Sequence, residues 1–212
     1  MVRRSGAARR FEPKYSVMAV TFITGPVSCG KSALGVRLAT ESGLEVMYVA
    51  TAAGEPEDAQ WRVRLSRHVR DRPESWRTVE TATMAPDAQL RFFREAPPGA
   101  CLLVDSLGTW LAARMASRIE LLEIDYAVLA AQLEQEASEF AEALLTSPAQ
   151  IIVVSEQIGW DLVPPEASAR LFRDVMGRMV QRLARGARHA YLVVAGYALD
   201  LRGTTTAKPD WV

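Results

Sequence analysis

The chain has 212 residues, 49% of them hydrophobic and 24% charged, with 25 Lys and Arg balancing 25 Asp and Glu. That length suits one domain with small additions and a sizeable core. Zero net charge gives no chain-wide attraction for nucleic acid or anionic lipid, so any bound anion must be held locally. No apolar run approaches the roughly 18 residues of a membrane span. Cys29 and Cys101 show neither metal-ligand spacing nor a disulfide framework, which is compatible with a reducing cytoplasm.

Residues 1–17 carry five basic residues and one acidic, without a periodic apolar face. They read as a poorly ordered basic leader, with a nucleic-acid arm or a targeting peptide as alternatives and Met18 as a second candidate start of translation. The main domain is expected over 18–203, followed by a surface tail over 204–212.

Along the domain, short β-branched runs occur at 18–24, 44–51, 100–106, 150–155 and 189–196. Their continuous hydrophobicity predicts strands buried on both faces of a mostly parallel sheet. Helical patterns over 31–42, 57–70, 86–96, 121–146 and 165–186 alternate with them, an α/β order. In the fourth of these, Leu129, Leu133, Ala137, Phe140 and Leu144 recur at spacings of three and four, the stripe of a core-facing helix. Beyond Gly196, YALDLR is compatible with a short edge strand of either direction.

The first strand runs into GPVSCGKS, residues 25–32, which satisfies G-x-x-x-x-G-K-S between a strand and a helical stretch. Gly25, Pro26, Val27, Ser28, Cys29 and Gly30 would wrap backbone amides around phosphate, aided by the helix N-terminus. Lys31 is expected to reach the β and γ phosphates, and Ser32 to ligate Mg²⁺. Asp105, at the end of the LLV run, is the expected second Mg²⁺ element. Its alternative is to cap a helix starting near Ser106, a task Ser106 can also perform.

An arginine-rich segment, WRVRLSRHVRDRPESWRTVE, spans 61–80. On a helix, Arg64 and His68 share a face at i, i+4, and Arg70 and Arg72 follow. Such a cluster can neutralise phosphate while a neutral imidazole attacks phosphorus, although a solvated helix with a bystander histidine fits the same residues. His189 reads as structural. After the IIVV run, Glu156 and Gln157 are expected at the same sheet rim as the phosphate loop. Arg170, Arg173, Asp174 and Arg178 either line a cleft or face water.

Taken in order, TFITGPVSCGKS, YVATA, RLSRHVRDRPESWRTVE, LLVDSLGTWLA, SEQIGWDLVPPEASARLFRDVMGRMVQRLA and YLVVAG resemble the bifunctional adenosylcobinamide kinase/adenosylcobinamide-phosphate guanylyltransferase family of cobalamin biosynthesis. The resemblance covers about residues 20–202. It implies a RecA-like P-loop NTPase fold, a cytoplasmic homotrimer, and two reactions using Mg²⁺ with GTP and, in the kinase step, ATP or GTP. A nucleoside triphosphate phosphorylates adenosylcobinamide. GTP then gives GMP to adenosylcobinamide phosphate through a guanylyl-histidine, which by motif position is His68. Arg64 or Arg72 would compensate developing charge, and Glu80 would contact the ribose or base. The chain departs from the family pattern at Ser28-Cys29 (usually Arg-Ser), Gln60-Trp61 (an acidic residue and Met), Gln157 (Glu) and Val180 (Asn). Those departures leave two alternatives: a transferase with one partial reaction or another acceptor, and a non-catalytic nucleotide-binding protein.

Overall fold

A computed structural model describes residues 20–52 and 72–204. Seven strands form one sheet: β1 (Val20–Gly25), β2 (Glu45–Ala50), β3 (Arg77–Glu80), β4 (Ala100–Asp105), β5 (Gln150–Glu156), β6 (His189–Val194) and β7 (Tyr197–Asp200), in the order β3-β2-β4-β5-β1-β6-β7. All pairings are parallel except β6 with β7. The described helices are α1 (Lys31–Glu41), α2 (Pro86–Arg94), α3 (Leu107–Ala116), α4 (Leu121–Ile124), α5 (Tyr126–Leu145), α6 (Ala167–Gly186) and α7 (Leu201–Thr204). The mostly parallel sheet flanked by helices is the expected architecture. None of the described helices is long and apolar enough to cross a membrane.

Alternation along the strands divides the core into two layers. Phe22, Met47, Val49, Leu102, Val104, Ile151 and Val153 face α2, α3, α5 and α6. There Trp110 stacks on Phe140 with ring centroids 4.4 Å apart, and Phe93 meets Phe140 edge-on at 5.3 Å. Each such ring, fully buried, contributes about 1.5–3 kcal/mol of apolar transfer. Ile23, Val46, Tyr48, Cys101, Leu103, Ile152 and Val154 form the other layer, under α1. An added methyl on Gly35 would stand 3.0 Å from Leu103 Cδ1 and 3.2 Å from Val154 Cγ2, so α1 runs directly over β4 and β5. That path carries the first turn of α1 across the sheet from β1 toward β4.

Some local readings change. The expected helix over 121–146 is two helices, because Asp125 leaves the helical conformation (φ −152°, ψ 84°) and its Oδ1 accepts the Val128 N–H at 3.1 Å, capping α5. β3 escapes the sequence pattern because only one of its four residues, Val79, is even partly buried. The periodicity does not reveal α3, whose Leu107, Gly108, Trp110, Leu111 and Met115 are all buried and leave it no clear polar stripe. YALDLR divides between β7 and the start of α7, and β7 is antiparallel to β6 through the two-residue turn Ala195-Gly196, both at positive φ (51° and 80°), the hairpin connection that suits right-handed strand twist. The expected helix over 57–70, the leader and the tail from 205 lie outside the described residues.

Candidate functional site

The C-terminal ends of β1, β2, β3, β4 and β5 share one rim. Gly25 pairs with Glu156, Ala50 with both Asp105 and Glu80, and Asp105 with Val154. In a parallel α/β sheet this rim is where ligands bind. The loop from β1 to α1 rises from it: Pro26, Val27, Ser28 and Gly30 are exposed, whereas Cys29 is tucked in and 6% exposed. Ser28 (φ 58°) and Gly30 (φ 101°) take left-handed conformations, the kind of turn from which an anion-binding nest is made. Lys31 is buried at 8% exposure, and its Nζ donates to the Pro26 carbonyl at 3.1 Å, folding the ammonium back over the loop. Ser32 is half-buried in the first turn of α1.

Two contacts brace this loop from opposite sides. The Gly196 N–H of the β6–β7 turn donates to Cys29 O at 2.9 Å, and the Gln157 N–H donates to Gly25 O at 2.9 Å. Beneath the loop there is no room for a side chain on Gly25, whose added Cβ would meet the Val193 carbonyl oxygen and lie 2.6 Å from Cys29 Sγ. Gln157, at the position where the family pattern has Glu, accepts a hydrogen bond from Thr24 Oγ1 at 3.3 Å, so it ties β5 to β1. Val180, at another of the departures, packs against the core below α6.

Asp105 ends β4, on the layer shared with Leu103 and Cys101 and therefore on the α1 side of the sheet. β5 separates it from β1, which leaves about 10 Å of sheet between the two strand ends. The helix cap that Asp105 was able to supply belongs to Ser106: its Oγ accepts the Thr109 N–H while Thr109 Oγ1 accepts the Ser106 N–H. Glu156 completes that helix start. Its Oε1 accepts from Ser106 Oγ at 2.7 Å and its Oε2 from the Gly108 N–H at 2.9 Å. Both of its oxygens therefore serve α3, and Glu156 does not replace the glutamate missing at Gln157. Thr51 joins the same knot, donating to Ser106 O at 2.6 Å beside Thr109 Oγ1 at 2.7 Å.

Across the sheet, Arg72 lies over the Tyr48 ring, its Cζ 3.5 Å from the centroid, and its Nη1 donates to Thr78 Oγ1 at 3.4 Å. Burial pushes the Tyr48 phenol well above the ordinary range; the negative charge of Asp105 adds to the rise and Arg72 opposes it. Glu80 ends β3, exposed at the rim. His189 opens β6, half-buried and stacked on Tyr191 at 6.4 Å, a structural position, and burial followed by the Arg188 charge holds its imidazole below the ordinary value. Arg173 Nη1 donates to Leu162 O at 2.9 Å and Arg170 Nη1 to Pro164 O at 3.0 Å, so both secure the loop after β5. Arg178 bridges to Glu134 at 2.6 Å. His68 and Arg64 lie outside the described residues. The structure thus gathers residues 25–32, Asp105, Arg72 and Glu80 along one rim. The sequence placed Glu156 at this rim but not on the start of α3, and it left Tyr48 unassigned, a phenol within a mostly apolar strand being the only signal.

The sequence pattern described as cobinamide kinase / cobinamide phosphate guanyltransferase (CobU) matches residues 21–201. The bifunctional adenosylcobalamin biosynthesis protein CobP of Pseudomonas aeruginosa is 37% identical over 181 residues, covering 85% of this chain and 96% of that protein. CobU of Salmonella typhimurium, also named a bifunctional adenosylcobalamin biosynthesis protein, is 29% identical over 191 residues, 85% of this chain and 98% of its own length. Among solved structures, an ATPase of the type III secretion system of pathogenic bacteria aligns with TM-score 0.48 at 13% identity, over 90% of this chain and 60% of that one. Since the family pattern runs from β1 to the start of α7 and a relative matches over nearly its whole length, this chain belongs to the cobinamide kinase / cobinamide phosphate guanyltransferase family.

Proposed function

We propose that the protein phosphorylates adenosylcobinamide with a nucleoside triphosphate and transfers GMP from GTP to adenosylcobinamide phosphate. The observation that carries this reading is the loop over 25–32, with Lys31 folded over it, on the same rim and sheet face as Asp105 in a chain of this family. The loop amides and Lys31 bind the triphosphate and neutralise its charge. Ser32 and Asp105 offer one hydroxyl and one carboxylate, an oxygen set that fits Mg²⁺ shared with phosphates. When bound, that ion would supply charge neutralisation between the phosphates. Glu80 is available to the ribose or base.

In the kinase step the aminopropanol hydroxyl oxygen attacks the γ-phosphorus, its proton passes to solvent, and the nucleoside diphosphate leaves with the electron pair of the broken P–O bond. In guanylylation a His68 ring nitrogen attacks the α-phosphorus of GTP and pyrophosphate departs with the electron pair of the broken P–O bond. An oxygen of adenosylcobinamide phosphate then attacks that phosphorus, and the P–N bond returns its electrons to the ring. Arg72 and Arg64 are the alternative cations for the developing charge. A cytoplasmic homotrimer belongs to the same proposal.

The test is incubation with Mg²⁺ and GTP labelled at the α-phosphate. Acid-labile, alkali-stable label is expected on the wild type and absent from His68→Ala. No label on either, with GTP still bound, defeats the histidine step and favours a non-catalytic nucleotide-binding protein. Phosphate transfer to adenosylcobinamide is expected to persist in His68→Ala. If the wild type lacks it, the chain carries one partial reaction, a reading that the neutral Gln157 and apolar Val180 favour.

A further inference from the structure

Tyr48 takes no part in the chemistry above, yet it touches one residue that does and neighbours another. It sits in the middle of β2, 5% exposed, where a phenylalanine would fill the same space without a polar atom to satisfy. In register it pairs with Leu103 on β4 and Thr78 on β3, so its side chain lies on the α1 face between the two. Two residues beyond Leu103 on that face stands Asp105, near enough for its charge to act on the phenol. The flat face of the ring carries the Arg72 guanidinium at 3.5 Å, and Thr78 receives the other end of that cation at 3.4 Å. One rigid ring therefore carries the guanidinium on its face, with the carboxylate as its neighbour on the same side of the sheet.

We propose that Tyr48 is a positioning residue of the nucleotide site, fixing the Asp105 carboxylate through its hydroxyl and Arg72 through its ring. Opposite charges on the same rim would otherwise be drawn together, with Arg72 neutralising the carboxylate that Mg²⁺ needs. Stacked on the ring, Arg72 is held at the rim for phosphate charge, with Asp105 fixed beside it. This inference rests on the nucleotide-site reading for its consequence, and on the contacts alone for its geometry.

Two variants separate the halves. Tyr48→Phe keeps the ring and removes the hydroxyl; Tyr48→Leu removes both. With GTP saturating, Mn²⁺ affinity read by electron paramagnetic resonance is expected to fall about threefold to tenfold in both, the scale of one hydrogen bond. GTP affinity without divalent metal, read by calorimetry, is expected to hold in Tyr48→Phe and fall about twofold to fivefold in Tyr48→Leu, the scale of a cation–π contact. Wild-type Mn²⁺ affinity in Tyr48→Phe overturns the Asp105 half, and equal metal-free GTP affinity in the two variants overturns the Arg72 half. A melting-temperature cycle of Tyr48→Phe with Asp105→Asn, run without nucleotide, is expected to be non-additive; additive losses overturn the contact itself. A wild type that binds no Mn²⁺–GTP instead sinks the nucleotide reading, and the cycle still decides the contact.

Discussion

Replacing Glu156 by Gln tests whether this carboxylate builds the fold or serves the ligand. Its two oxygens accept from Ser106 Oγ at 2.7 Å and the Gly108 N–H at 2.9 Å, at the first turn of α3. A glutamine offers one acceptor oxygen and turns an NH₂ group toward the other donor. The Ser106 hydroxyl can rotate away, but the Gly108 amide is fixed by the helix. An added Cβ on Gly108 would lie 2.8 Å from Glu156 Cδ, so the side chain has little space to withdraw. Losing one hydrogen bond to a charged group costs about 1.5–3 kcal/mol, and losing an anion from a helix N-terminus costs about 0.3–1 kcal/mol more. For a chain of this size about 2–4 kcal/mol lowers the melting temperature by roughly 4–16 °C. Thermal unfolding by circular dichroism measures it, and calorimetry should find GTP affinity in the folded variant within about threefold of wild type. A melting temperature unchanged within about 1 °C, or GTP binding lost from a variant as stable as wild type, refutes the assignment of both oxygens to α3.

Gly25→Ala is expected to destabilise by about 1–3 kcal/mol, because the new methyl meets the Val193 carbonyl and Cys29 Sγ and neither strand can give way cheaply; Gly177→Ala, in α6 with nothing within 4 Å, should be neutral or stabilising in the same melt, and equal behaviour of the two would contradict the packing argument. Burial alone would push the Glu136 carboxyl up, but hydrogen bonds from Arg118 and Arg114 outweigh it and hold it below its ordinary 4.5. A depressed carboxylate stabilises the fold fully above its unfolded value and loses that contribution as pH falls through the folded one. The melting-temperature gap between wild type and Glu136→Gln should therefore be constant above about pH 5.5 and close as pH drops below 4.5; a gap independent of pH removes the ion-pair explanation.

The sequence by itself determined the five buried strands and the glycine-rich loop after the first of them. Runs such as IIVV and CLLV are apolar on both faces, which only a doubly covered sheet satisfies. Gly25, Gly30, Lys31 and Ser32 form one contiguous motif whose backbone and side-chain requirements are local. It also put Asp105 at a strand end, because a carboxylate closing an apolar run has no other exit from a buried sheet.

Only the tertiary structure decided what sits beside what at the rim. The sheet order inserts β5 between the strands that end in Gly25 and Asp105, and order across a sheet is set by long-range packing that no local pattern encodes. That insertion brings Glu156 onto the start of α3, some fifty residues earlier in the chain, and ties Gln157 to Thr24 from across the domain. The nearness of Tyr48 to Asp105 likewise depends on register between β2 and β4: a slip of one residue would turn the phenol to the opposite face of the sheet.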